Sequence, residues 1–279
     1  MSRSNVGVAG AASAGLYRRW SALFVALAVL LAGLAPSCQS VAVTGRRQFN
    51  MFSLEQDKQL GADAYQQAMG ESKLIKSGPQ YAQVKRVVER LIPVVDDPGF
   101  EWEFNVIDDP KTVNAWCMPG GKIAVYTGIL PIAQDDAGLA VVIGHEIAHA
   151  VARHGTERMT TQGLGNLGLA IAASQFESAA KYQQALVLAT DLLVYKPWGR
   201  DNELEADEIG LMYMAEAGYD PRSAPAFWQR MAAASGGAGG GGRLAGYLST
   251  HPSNAERIAR LEQLLPRAIE LHERSTLRP

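Results

Sequence analysis

Apolar residues recur at helical spacing in several parts of this chain. Between residues 79 and 91, valine and leucine return every three or four positions, which predicts an amphipathic helix. Upstream, Ser53 is followed three residues later by Gln56, a pairing that resembles a capping box. We therefore expect an earlier helix that begins beside Ser53 and continues toward Met69.

The C-terminal third shows the same periodicity. Helices are predicted over residues 201–217, closed by Gly218, and over residues 221–234. A final helix should begin near residue 253, and Pro266 should break or kink it.

A different pattern, with polar and apolar residues alternating, marks strands in the middle of the chain. Residues 101–107 alternate in this way, as a half-buried strand does. Two runs rich in strand formers follow, 113–117 and 122–127, separated by a Pro-Gly-Gly turn. These segments predict a small antiparallel sheet, and the 122–127 strand is the candidate for an exposed edge on which an extended peptide could pair.

The longest helical pattern runs from Ala137 to His154, with Asp136 placed to cap its start and Gly155 suited to its end. Most positions between residues 139 and 151 are apolar, but two histidines and a glutamate interrupt them. Polar side chains on a buried helix need partners. The polar residues of this helix are therefore the first candidates for a functional site.

His145, Glu146 and His149 form the pattern His-Glu-x-x-His. Two imidazoles four positions apart project from one face of a helix and can bind one metal ion, while the glutamate lies beside it. This is the zinc metallopeptidase pattern, in which Glu146 would activate water. Zinc suits such donors best, although not uniquely.

A catalytic zinc needs a third protein ligand. Glu203 and Asp207 are four positions apart on a predicted helix, whereas Glu205 falls on another side. We expect Glu203 to be the ligand and Asp207 to orient a bound imidazole through its outer ring nitrogen. His154, five positions after His149, is expected to point away from the metal and to complement the helix C-terminus.

Composition narrows the function further. The 279 residues carry 26 basic and 28 acidic side chains without a sustained basic run, which argues against nucleic acid as a partner.

Residues 1–38 combine early arginines with an apolar run and then small residues, and this is typical of an export signal. Cys38 is the expected lipid acceptor, with ordinary cleavage or an uncleaved anchor as alternatives. Cys117 is interpreted as a small buried apolar residue.

At this point the chain resembles a known family, the gluzincin zinc metallopeptidases that include the CaaX prenyl protease and the mitochondrial Oma-type protease. The likeness is greatest to periplasmic, lipoprotein-like bacterial members. Besides the zinc helix, the matching segments are 43–48, Asn114-Ala115, 119–121, 200–207, 218–221, His251-Pro252 and Arg257-Ile258.

The resemblance implies an α+β, mainly helical, zincin-type fold with the small sheet beside the zinc helix. It also implies one Zn²⁺ held by His145, His149 and Glu203, with Asp207 in support. His251 would approach the metal, to stabilise the oxyanion or to fill the open position at rest. Asn114 and Arg257 would line the cleft or serve only the structure.

These features predict three parts: a signal over 1–38, an N-terminal segment with a helix over 39–75 and a zinc metallopeptidase domain over 76–279. The expected activity is endopeptidase cleavage of unfolded or misassembled envelope proteins. The expected location faces the periplasm, with a lipid anchor in the outer membrane. Alternatives are a zinc-stabilised chaperone or assembly factor, and a purely structural lipoprotein.

Overall fold

A computed structural model describes residues 38–175, 196–235, 244, 247–249, 251 and 255–277. The predicted signal segment and the glycine-rich stretch after residue 235 lie outside the described residues, as does the side chain of Cys38. The lipid anchor at Cys38 stays a prediction.

The N-terminal part contains a two-stranded antiparallel hairpin and two helices. These elements are β1 (Cys38–Ser40), β2 (Arg47–Phe49), α1 (Leu54–Gly70) and α2 (Pro79–Leu91). The predicted capping box at Ser53 is confirmed, since its hydroxyl accepts from the Gln56 amide while the Gln56 side chain accepts from the Ser53 amide. Helix α2 has the predicted bounds, and its valine and leucine face is buried.

Four strands form the sheet, which lies beside the metal-motif helix as expected. They are β3 (Leu74–Ile75), β4 (Glu103–Ile107), β5 (Ala115–Met118) and β6 (Lys122–Tyr126), in the spatial order β3-β4-β6-β5. The β3-β4 and β5-β6 pairs are antiparallel, and the central β4-β6 pair is parallel. Strand β6 is therefore internal, so β5, and not the predicted 122–127 strand, forms the edge.

Helices α3 (Leu130–Ala133), α4 (Asp136–Val151) and α5 (His154–Gln175) follow. Helix α4 carries the motif, but its cap is Asp135, whose side chain accepts from the Gly138 amide. It also ends earlier than expected, because Arg153 adopts a left-handed φ of 58° and a new helix begins at once. Gly155 lies inside that new helix.

The C-terminal part contributes three helices: the first two pack against α4, and the third packs against those two. They are α6 (Lys196–Glu216), α7 (Ser223–Ser235) and α8 (Ala255–Arg274). Gly218 follows α6 with a φ of 82°, as the predicted stop requires. Helix α8 is not broken at Pro266, and its apolar face packs into the core on both sides of the proline.

The α+β, mainly helical class is confirmed. Within the described ranges, no helix combines the length and the apolarity that crossing a membrane requires.

Candidate metal centre

Helices α4 and α6 cross closely and bring the predicted ligands together. At the crossing, a Cβ added to Gly210 would lie 2.8 Å from the backbone nitrogen of His145 and 2.9 Å from the carbonyl carbon of Gly144. Any larger residue would push the helices apart. The two glycines thus permit the approach of Glu203 on α6 to the histidines on α4.

The donor atoms have the separations of a small coordination polyhedron. The Nε2 atoms of His145 and His149 are 3.1 Å apart, and Glu203 carboxylate oxygens lie 3.4 and 3.2 Å from them. His251 Nδ1 lies 3.1 Å from Glu203 and 3.3 Å from His145 Nε2. Zinc bonds of about 2.0–2.1 Å to nitrogen and oxygen give tetrahedral edges of about 3.3–3.4 Å, so this donor set fits a zinc ion.

The environment of these donors keeps Glu203 charged. Burial raises the pKa of Glu203, but His149, His145 and His251 outweigh it and hold that pKa well below its ordinary value. Burial lowers the pKa of His149 well below its ordinary value, which favours the neutral ring that binds metals. Burial also lowers the pKa of His145, but Asp207 and Glu203 outweigh it and raise that pKa to about 9, so a metal bound there would displace a proton from this ring.

Glu146 lies beside the donors and is buried, with 3% of its surface exposed. Burial raises its pKa above the ordinary value, and the nearby His251 and His145 offset part of that rise. The hydroxyl of Tyr247 donates to its Oε1 at 3.1 Å, and His251 Nε2 lies 3.7 Å from the same oxygen. A carboxyl group with a raised pKa suits proton transfer near neutral pH.

Asp207 and Arg257 lie behind the donors. Asp207 Oδ1 is 3.0 Å from His145 Nδ1, on the side of the ring away from Nε2. Arg257 donates to both Asp207 oxygens, at 2.6 and 2.7 Å, and its Nη1 lies 3.0 Å from Glu203. Its guanidinium also stacks on Trp228, 3.8 Å from the ring centroid.

His154 is the residue at which the structure differs most from expectation. The expectation that it points away from the metal is wrong, because its Nδ1 lies 2.8 Å from His149 Nδ1 and its Nε2 lies 2.9 Å from Glu205. The left-handed turn at Arg153 swings the ring back toward His149. Arg153 is held there by Asp57, by Gln39 and by the Phe52 carbonyl.

A cleft opens in front of the donors. Its lining, as far as the described residues show, is Cys117, Pro119, Glu146, His149, Ala150, His154, Gly155, Arg158, Gly199, Asn202, Glu203 and His251. Two further residues, Asn114 and Arg257, were expected either to line the cleft or to serve only the structure. Neither is among these lining residues. Cys117 does line the cleft, and burial holds its pKa well above the ordinary value, which keeps the thiol protonated.

Comparison with known proteins gives the same picture. Peptidase family M48 matches residues 79–265. The mitochondrial metalloendopeptidase OMA1 of Schizosaccharomyces pombe is 39% identical over 231 residues, which are 82% of this chain and 66% of that protein. The human mitochondrial metalloendopeptidase OMA1 is 33% identical over 245 residues, 83% of this chain and 46% of that protein.

A bacterial relative is more distant. The beta-barrel assembly-enhancing protease of Escherichia coli is 24% identical over 253 residues, 86% of this chain and 50% of that protein. The chain thus spans between 46% and 66% of the length of these three relatives.

The predicted location, facing the periplasm with a lipid anchor in the outer membrane, is wrong. The relatives with 39% and 33% identity, each over more than four fifths of this chain, are mitochondrial proteins, whereas two bacterial relatives share 30% over 61% of the chain and 24% over 86% of it.

Proposed function

Since the chain belongs to peptidase family M48, whose members are zinc-dependent metallopeptidases, we propose that it is an endopeptidase acting in protein quality control. The family confirms the predicted enzyme class and the zinc cofactor, and it supports protein substrates. The observation that carries the proposal is four donor atoms within 4.8 Å of one another beside a buried glutamate.

We assign His145, His149 and Glu203 as the zinc ligands. Zinc bound there would supply a Lewis acid that polarises a peptide carbonyl and makes water more acidic. Asp207 accepts from the outer nitrogen of His145 and thereby presents Nε2 to the metal. Arg257 holds Asp207 in place and balances the charge of the two buried carboxylates.

Glu146 is the proposed proton carrier. Its carboxylate takes a proton from the attacking water and then delivers it to the nitrogen of the leaving amine. The raised pKa supports both steps, because a weakly acidic carboxyl group accepts and releases a proton near neutral pH. Tyr247 orients the carboxylate through its hydrogen bond.

His251 is assigned to the fourth donor position at rest. A catalytic zinc site keeps one position for water or substrate, so His251 would have to withdraw before cleavage. In the withdrawn position its ring would be available to stabilise the oxyanion. The distances from its Nδ1 to Glu203 and His145 support the resting role.

The proposed substrates are unfolded or misassembled proteins. Strand β5 ends the sheet on the side of the cleft, and Cys117 and the adjoining Pro119 reach into the lining. An extended peptide can add to such an edge through its backbone, so the conformation of the substrate would matter more than its side chains. Folded proteins would not offer such a segment.

The test compares Glu146→Gln with the wild type on a panel of unfolded proteins. The variant should retain zinc and lose cleavage by at least about 100-fold, because proton transfer contributes that much. The matched control is Glu262→Gln, which changes an exposed glutamate of α8 and should leave cleavage normal.

The zinc content of His251→Ala tests the role of His251, and it should fall if the ring touches the ion. A panel left intact by zinc-loaded wild type would contradict the endopeptidase proposal.

The same experiment separates the chaperone or assembly-factor alternative. A chaperone would protect unfolded proteins from aggregation equally well with and without the Glu146→Gln substitution. If wild type and variant are indistinguishable in every assay, that alternative replaces the peptidase.

A further inference from the structure

A second network of charged side chains reaches the metal centre from the N-terminal hairpin. Arg46 donates to both oxygens of Glu157, at 2.8 and 2.9 Å, and through Nε to Glu205 at 2.6 Å. The Thr44 hydroxyl donates to the other Glu205 oxygen. Both hairpin residues precede residue 79, where the match to family M48 begins.

We propose that His154 is a positioning residue of the metal centre, fixed by Glu205, and that the hairpin residues Arg46 and Thr44 complete this support. The inference rests on the proposed role of His149 as a ligand. It makes the N-terminal hairpin a working part of the site.

The order of donors and acceptors gives the physical reason. The ionised Glu205 only accepts, so His154 donates to it through Nε2. In the proposed arrangement, the Nδ1 of His154 then accepts the Nδ1 proton of His149 across their 2.8 Å contact. With its proton on Nδ1, His149 turns a free lone pair on Nε2 toward the other donors. The network thus selects the tautomer that binds a metal.

Burial makes this selection effective. His154 has 5% of its surface exposed and Glu205 has 7%, so water competes poorly for these hydrogen bonds. The planes of the two imidazole rings stand at 74° to each other, and the two Nδ1 atoms are 2.8 Å apart. Thr44 donates to the Glu205 oxygen that His154 leaves, and Arg46 shares the other oxygen with His154, so the two hairpin side chains hold the carboxylate in one orientation.

The experiment measures zinc affinity by competition with a coloured chelator, in the full chain carrying Glu146→Gln so that no cleavage occurs. His154→Phe should weaken zinc binding by about 10- to 100-fold, the usual cost of removing such a support. The His154→Gln variant keeps an amide that can accept and donate hydrogen bonds, so its zinc affinity should fall less than that of His154→Phe. The visible spectrum of the Co²⁺-loaded protein should change in His154→Phe, because the His149 ring is freed to rotate.

Hairpin variants test the outer part of the network. Arg46→Met should weaken zinc binding by several-fold, whereas the adjacent, exposed Arg47→Met should leave it unchanged. Urea unfolding of the metal-free proteins separates loss of the fold from loss of the site.

Two results would overturn the proposal: zinc affinity of His154→Phe within twofold of its parent, or equal affinities for the Arg46 and Arg47 variants. Cleavage of unfolded proteins tests the peptidase function, and zinc affinity tests the positioning network. Either can therefore fail without the other.

Discussion

The two histidines of helix α4 are supported from opposite ends of the chain and by different chemistry. His145 contacts Asp207 directly, and Arg257 of the C-terminal helix α8 holds that carboxylate. His149 instead contacts His154, which contacts Glu205, and Arg46 of the N-terminal hairpin holds this second carboxylate. Each ligand is thus supported by a carboxylate and an arginine. We call Asp207 and Arg257 the C-terminal arm, and His154, Glu205 and Arg46 the N-terminal arm. Only the N-terminal arm contains an additional imidazole.

The difference in burial matters as much as the additional imidazole. The Arg257 side chain is 2% exposed and lies against Trp228, whereas that of Arg46 is 30% exposed. Ion pairs that are shielded from water are costly to break, and those reached by water contribute little. We therefore expect the C-terminal arm to support the fold and the N-terminal arm mainly to adjust the metal site.

The largest expected effect is that of Arg257→Met. It removes the cation from two buried carboxylates, Asp207 and Glu203, and should lower the free energy of unfolding by about 3–5 kcal/mol. Urea denaturation of the metal-free protein measures it. The control is Arg260→Met on the same helix, whose exposed pair with Glu208 should contribute less than about 1 kcal/mol. Equal losses would remove the distinction between the arms.

An intermediate effect is expected where α4 and α6 cross, since both arms depend on that contact. Gly210→Ala introduces a methyl group against the backbone of His145 and should cost about 1–3 kcal/mol. Thermal or urea unfolding measures the loss. Gly163→Ala, in helix α5 and with open space around its position, should be neutral or slightly stabilising. A neutral Gly210→Ala would show that the helices separate without cost.

The smallest effect belongs to the N-terminal arm. Arg46→Met should lower the free energy of unfolding by about 1 kcal/mol, because water partly replaces its hydrogen bonds. Denaturant unfolding, with Arg47→Met as the reference, measures the change. A loss as large as that of Arg257→Met would mean that both arms support the fold equally.

The sequence alone predicts the parts of the site that helical spacing determines. The His-Glu-x-x-His spacing and the four-residue interval from Glu203 to Asp207 are helical intervals, so they predict which side chains share a face. Five residues along a continuous helix would turn His154 by about 140° from His149. The backbone reversal at Arg153 changes that direction, and its cause lies about 100 residues away in Asp57 and Phe52.

Other features depend on tertiary contacts in the same way. The position of Arg257 behind the ligands requires α8 to pack on α6, and no local pattern specifies that pairing. Similarly, the pairing of β6 with β4 decides which strand of the β5-β6 hairpin forms the edge, and this long-range pairing cannot be predicted from the hairpin alone. Arg46 lies in the segment 43–48 that resembles the family, but no local pattern specifies its distant partners Glu157 and Glu205.

The left-handed turn at Arg153 bears on how such sites can be found in other sequences. Because the chain reverses there, one inserted or deleted residue between His149 and His154 would carry the third imidazole out of reach. The informative pattern therefore has ten positions, from His145 to His154, instead of five. In a chain with 5 histidines among 279 residues, one additional histidine at a fixed position makes accidental matches roughly 50-fold rarer.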